Sequence, residues 1–129
     1  MRAVLDTSVF IARERRRPLA DLPAEVVVSV VTLSELRHGV LAAGEPPERA
    51  VRLATYDAAR QLGSPVVIDA EVGDEFARLR VALKGIGRRM KVMDAWIAAT
   101  AMAHRAAVCT QDADFDAAGD AGLVEILRV

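Results

Sequence analysis

The sequence predicts an α/β fold, a three-layer α/β/α sandwich around a short central parallel sheet. Two observations carry this. Short apolar runs rich in β-branched residues alternate with segments of helical period along the whole chain. Those runs are apolar on both faces, as strands of a sheet covered on both sides must be. A third observation concerns extent. No internal repeat, low-complexity linker or change of composition divides the 129 residues, so one domain spanning residues 1–129 is expected. A chain of this length buries roughly two-thirds of its unfolded-state surface and needs no covalent staples.

Taken in order, RAVLD at 2–6 is a strand ending in a carboxylate, and Thr7 opens a helix that stops before Pro18. Residues 25–31, EVVVSVV, form the clearest strand because β-branched residues dominate. A helix from about Leu33 to Ala43 ends at Gly44 and the Pro46-Pro47 pair. Residues 48–62 carry apolar residues at helical spacing, and Gly63-Ser64-Pro65 breaks them. A strand at Val66–Ile68 and a helix from about Asp69 to Leu83 follow. KGIGRRMK is a glycine-punctuated basic loop. DAWIAATAMAHRA, 94–106, is apolar almost all round and reads as a buried helix. A strand at Ala107–Thr110, the acidic stretch QDADFDAAGDAG and a last strand at about Leu123–Arg128 complete the chain.

Composition narrows the function. At 53% hydrophobic residues and a mean hydropathy of +0.23 the chain is not disordered. No apolar run approaches the roughly 20 residues of a membrane span. The first apolar run is short and broken by Asp6, unlike a signal peptide. One cysteine, Cys109, excludes an internal disulfide and a multi-cysteine zinc site. A reducing cytoplasm is the expected location, with no membrane partner. The net charge of −1 argues against a general nucleic-acid binder, but the charges are segregated. RERRR occupies 13–17, the stretch Lys84–Lys91 holds four cations and no acid, and Asp112–Asp120 holds four aspartates and no base. Such blocks suit a basic rim around an acidic centre, and they suit solvated surface loops equally.

Ligands of an open parallel α/β sheet bind outside the carboxyl ends of the strands. Asp6 ends the first strand, Glu35 lies a helical turn past the second, Asp94 opens the buried helix, and Asp112 with Asp114 follows the strand at Thr110. Each acid has a purely structural explanation. Asp6 can cap a helix, Thr32 and Glu35 have capping-box spacing, Asp94 favours a helix N-terminus, and Asp112 and Asp114 suit an Asx turn. Convergence on one sheet edge weakens all four. Carboxylates about 5 Å apart repel by roughly 3 kcal/mol per pair at an effective dielectric near 20. A divalent cation relieves that cost. Hard oxygen donors favour Mg²⁺, with Mn²⁺ possible, over zinc. Such a site suits attack of water on a phosphodiester.

The quoted segments LDTSVFIA, TLSELRHG around Glu35, MDAWIAATA around Asp94 and TQDADFD around Asp112 resemble the four motifs of PIN-domain ribonucleases, and their wording is most similar to the VapC-type toxins of bacterial toxin–antitoxin pairs. The resemblance covers nearly the whole chain in the family's order. It implies a metal-dependent endoribonuclease that acts as a toxin. Asp6, Glu35, Asp94 and Asp112 would form the acidic site, with Asp6 and Asp94 as principal Mg²⁺ ligands. Thr7 and Thr110 would orient carboxylates or water. Asp114 competes with Asp112 for the last position, and Asp116 is a remote third. The resemblance further implies an RNA substrate, a cognate antitoxin protein and a homodimer.

Basic residues near these motifs are candidates for RNA phosphates: Arg37 after Glu35, and Arg88, Arg89 and Lys91 in the loop before Asp94. His38 follows Glu35 at Glu-x-x-His spacing, without the second copy a di-iron bundle requires. Trp96 reads as a helix-packing residue and Cys109 as a buried hydrophobe. Two other classes share an acidic metal pocket. A phosphoacceptor receiver domain wants an acid pair after its first strand and an aspartate after its third, for which Asp69 would serve. A phosphatase of Asp-x-Asp type has Ser8 at its second aspartate. A PIN domain that binds RNA without cutting it is the remaining alternative, and the intact acids speak against it.

Overall fold

The computed structural model describes residues 2–129. Strand β1 (Arg2–Leu5) leads through Asp6 into helix α1 (Thr7–Glu14). Then follow β2 (Glu25–Val27), α2 (Val30–Ala42), α3 (Pro46–Arg60), α4 (Ala70–Gly85), α5 (Val92–Ala103), β3 (Ala107–Thr110), a 3₁₀ turn (Ala113–Phe115), α6 (Asp116–Asp120) and β4 (Ile126–Arg128). All strand pairs are parallel and the spatial order is β2-β1-β3-β4.

Alternation along the strands divides the core in two. Val4 and Val108 point to one face, where they meet Leu79 and Leu83 of α4, Ile97 and Ala98 of α5, and Phe115. Ala3, Leu5, Ala107 and Cys109 point to the other, against Phe10 of α1, Leu33 and Leu36 of α2, and Ala59 of α3. Helices therefore cover both faces, and the three-layer sandwich is the architecture. Burial this complete on both sides explains why these strands lack a polar face.

Three sequence expectations shift. The expected strand 25–31 stops at Val27, and α2 begins at Val30 rather than Leu33. The cause is Ser29, whose Oγ accepts the Thr32 N–H at 3.2 Å and caps the helix. Burial of Val31 then outweighs the β preference of a branched side chain. The expected strand at 66–68 reduces to a single bridge between Val66 and Ser29, and Val67 and Ile68 are exposed with no strand to pair. The acidic stretch after β3, expected as a loop, contains the 3₁₀ turn and α6, because Phe115, Ala117 and Ala118 anchor it in the core.

Helix ends are closed by backbone chemistry. Arg16, Gly87 and Arg105 adopt positive φ of 55°, 68° and 51° after α1, α4 and α5. In each case the next residue's N–H reaches back five residues, as in Arg17 N to Ala12 O at 2.8 Å, Arg88 N to Leu83 O at 2.9 Å and Ala106 N to Ala101 O at 2.9 Å. This is the Schellman closure, which prefers glycine and finds it only once.

Candidate metal centre

In the order β2-β1-β3-β4 the chain turns to opposite sides on leaving β1 and β3, so the crevice between their carboxyl ends is the expected ligand site. A cleft of about 420 Å³ opens there, lined by Asp6, Thr7, Ser8, Arg17, Glu35, Lys91, Asp94 and Asp112 among others. Four chain segments thus deliver their acids to one place. Asp6 is only 3% exposed and Asp94 only 9%. Carboxylate oxygens of Asp94, Asp112 and Asp114 lie within 4.8 Å of one another; Asp6 is not part of that trio.

Hydroxyl groups organise the acids. Thr110, fully buried, donates its Oγ1 hydrogen to Asp6 Oδ2 at 2.9 Å and accepts the Asp112 N–H at 2.9 Å. With that hydrogen committed, the 3.1 Å contact between Ser8 Oγ and Thr110 Oγ1 has Ser8 as donor. Ser8 Oγ in turn accepts the Gln111 N–H at 2.9 Å. One hydroxyl pair therefore locks the end of β1 to the turn after β3. Across the cleft Thr7 donates to Glu35 Oε1 at 2.7 Å.

The structural explanations of the acids now separate. Asp6 does cap α1, accepting the Ser8 N–H on Oδ2 at 3.3 Å, and Asp112 caps the 3₁₀ turn through the Asp114 N–H at 2.9 Å. Glu35 closes no capping box, because Ser29 is the cap of α2 and Glu35 is bonded to Thr7. Asp94 stands in the first turn of α5, whose cap position is Lys91, and among the described residues its side chain takes no hydrogen bond. Burial, then the charges of Asp6, Asp112 and Glu35, push its carboxyl up to about 7 against the smaller opposing pull of Lys91. Burial likewise raises Glu35, partly offset by its Thr7 bond. The acids offer hard oxygen donors only, the set that a hard divalent cation prefers.

The basic candidates disperse. Lys91 lines the cleft and lies 3.5 Å from Asp114. Arg88 is paired with Asp120 and, with Arg80, Lys84 and Arg89, lines a separate groove of about 700 Å³. Arg37 lies over the Tyr56 ring, 5.6 Å from its centre. Asp116 is bound to Arg128 at 2.7 Å, away from the trio. Asp69 only caps α4 through the Val72 N–H, which removes the receiver reading. Trp96 stacks on Phe76 at 3.7 Å. Two polar cleft residues, Ser8 and Arg17, were not among the site residues expected from the sequence. Ser8 follows Asp6 by two in LDTSV, and Arg17 ends RERRR.

The sheet, the acidic cleft and the order of the acids along the chain define the class: the chain belongs to the PIN domain family, which it matches over residues 3–121. Among its relatives, Ribonuclease VapC5 of Mycobacterium tuberculosis is 47% identical over 128 residues, 98% of this chain and 94% of that protein. Ribonuclease VapC4 of the same organism is 46% identical, with 97% of each chain covered. The crystal structure of VapBC-5, a member of the VapBC family of toxin–antitoxin systems from M. tuberculosis, contains a chain similar to this one at a TM-score of 0.86 and 43% identity, covering 99% of this chain and 98% of that one.

Proposed function

We propose that residues 1–129 form a single nuclease domain that cleaves RNA phosphodiester bonds with Mg²⁺ and acts as the toxin of a toxin–antitoxin pair. The observation that carries this is the cleft itself: Asp94, buried and unbonded, among Asp6, Glu35, Asp112 and Asp114. Relatives named as ribonucleases, nearly half identical along almost the whole chain, support the reaction.

Asp94, Asp112 and Asp114, with the free Oδ1 of Asp6, would hold the cation. Bound there, Mg²⁺ supplies charge neutralisation and Lewis-acid stabilisation of the phosphate, and Mn²⁺ suits the same oxygens. Thr110 and Ser8 hold Asp6 and the turn in place, so the acids need not reorganise as charge develops. Glu35, oriented by Thr7 through Oε1, accepts at Oε2 the proton of the attacking water. The water oxygen bonds to phosphorus in line with the leaving 3′ oxygen, the P–O3′ bond breaks, and that oxygen is protonated by solvent. Lys91 is the best placed of the predicted RNA-binding residues, and Arg88 and Arg89 extend the basic surface along their groove. Arg37 has the weakest case, since Tyr56 engages it.

No helix among the described residues is long and apolar enough to cross a membrane, and the cytoplasm, where RNA and a partner are at hand, is the proposed location. A cognate antitoxin fits the structural neighbour described as a VapBC system. A homodimer belongs to the same proposal.

Purified protein incubated with total cellular RNA tests the reaction. Mg²⁺-dependent cleavage, abolished by EDTA and by Asp6→Asn with the circular dichroism unchanged, is expected. Equal cleavage by wild type and Asp6→Asn would refute the nuclease reading. Growth arrest on expression of wild type alone, absent in Asp6→Asn, tests the toxin role.

A further inference from the structure

The one arginine in the acidic cleft is Arg17, an exposed residue that makes no ion pair among the described residues. Two local devices fix the backbone that carries it. On its N-terminal side Arg16 holds a left-handed φ of 55°, and Arg17 N–H closes the Schellman bond to Ala12 O at 2.8 Å. A non-glycine residue keeps that conformation only where its surroundings insist on it. On the other side Gln111 Nε2 donates to Pro18 O at 2.9 Å and to Val129 O at 3.1 Å. Gln111 stands between Thr110 and Asp112, and its own N–H is tied to Ser8. The residue that links the two acid-bearing turns thus also grips the chain next to Arg17.

Resting on the ribonuclease reading, we propose that Arg17 binds an RNA phosphate adjoining the acidic centre and that Gln111 is its positioning residue. The rigid guanidinium fork suits a phosphate's two free oxygens. An anion entering the cleft must pass carboxylates that repel it, and Arg17 together with Lys91 offsets that repulsion at the rim. Because Gln111 couples the arginine to the Thr110–Asp112 turn, the phosphate grip and the acids keep a common frame.

The test measures binding of a labelled single-stranded RNA of mixed sequence, with Ca²⁺ replacing Mg²⁺ to prevent cleavage, across a salt series. Cleavage of total RNA with Mg²⁺ runs in parallel. Arg17→Ala should weaken binding by roughly tenfold, the value of one hydrogen bond to a charged group. It should also lower the salt slope by about 0.7, one phosphate contact on a single strand. Arg17→Lys should keep the slope and recover part of the affinity. Arg13→Ala, an exposed arginine outside the cleft, should change neither by comparison. Gln111→Ala should weaken binding less than Arg17→Ala, and the double variant should bind no worse than Arg17→Ala alone. Wild-type affinity and slope in an Arg17→Ala protein that cleaves RNA would overturn the phosphate role alone. Additive losses in the double variant would overturn the positioning role. Wild type that neither binds nor cleaves RNA would overturn the ribonuclease reading and this inference together.

Discussion

Asp94 concentrates the electrostatics of the cleft in one residue. Its pKa, raised to about 7 by burial and by Asp6, Asp112 and Glu35, means that the folded state holds a proton the unfolded chain releases near pH 4. Metal-free stability should therefore fall as pH rises from about 4 to 7 and level off above, with Glu35 adding in the same direction. Melting temperatures in EDTA between pH 5 and 8 should show a steeper decline in wild type than in Asp94→Asn. At pH 8 the variant should melt no lower than wild type, and it should gain less from Mg²⁺. A marked loss in EDTA would instead make Asp94 a structural residue of α5. Glu35→Gln separates charge from geometry in another way. Glutamine still accepts the Thr7 hydrogen bond, and α2 keeps its Ser29 cap. The fold should be unchanged while cleavage falls by about 100-fold or more, the loss that the proposed general-base role predicts.

At the scale of elements, local signals were legible where one residue decides the outcome. Asp6 and Asp69 cap the helices that follow them, and Gly87 closes α4 in the loop expected from its glycines. Signals failed where two residues competed. Ser29 lies inside a run of valines, and the cap wins because the backbone donors at a buried helix end must be satisfied. Ser29→Ala should accordingly cost about 1 kcal/mol. The arginines at Arg16 and Arg105 were invisible in the sequence, since nothing marks arginine as a left-handed residue. Arg105→Gly, at a position remote from the cleft lining, should stabilise the protein by ~1 kcal/mol, or about 3–5 °C in melting temperature. Chemical denaturation of the two variants measures both values.

The whole molecule couples its core to its chemistry. Phe115 is fully buried between the sheet and α4–α6, and it sits in the turn that carries Asp112 and Asp114. Phe115→Ala should cost about 3–5 kcal/mol. It should also weaken Mg²⁺ binding in protein that remains folded, because the acids lose their anchor. Calorimetric titration with Mg²⁺ below the melting temperature checks the second effect. Leu79→Ala, a cavity of comparable kind under α4, should lower stability and leave Mg²⁺ affinity nearly unchanged.

The alternation of apolar strands and helices, the four acid-bearing segments and their order along the chain were all readable from the residues alone, because period and composition are local properties. The preference for a hard cation was an expectation from the same residues, which offer oxygen donors without paired cysteines. Tertiary structure alone decided which polar residues share the cleft. It separated Lys91 from Arg88 and Arg89, sent Arg37 to Tyr56 and Asp116 to Arg128, released Glu35 from the capping box, set Ser8 beside Asp6 and brought Arg17 into the cleft lining. The reason is that a side chain's partner depends on contacts between segments up to about a hundred residues apart, such as Thr110 with Asp6, and neither spacing nor charge in the sequence encodes the direction in which a helix or turn presents them.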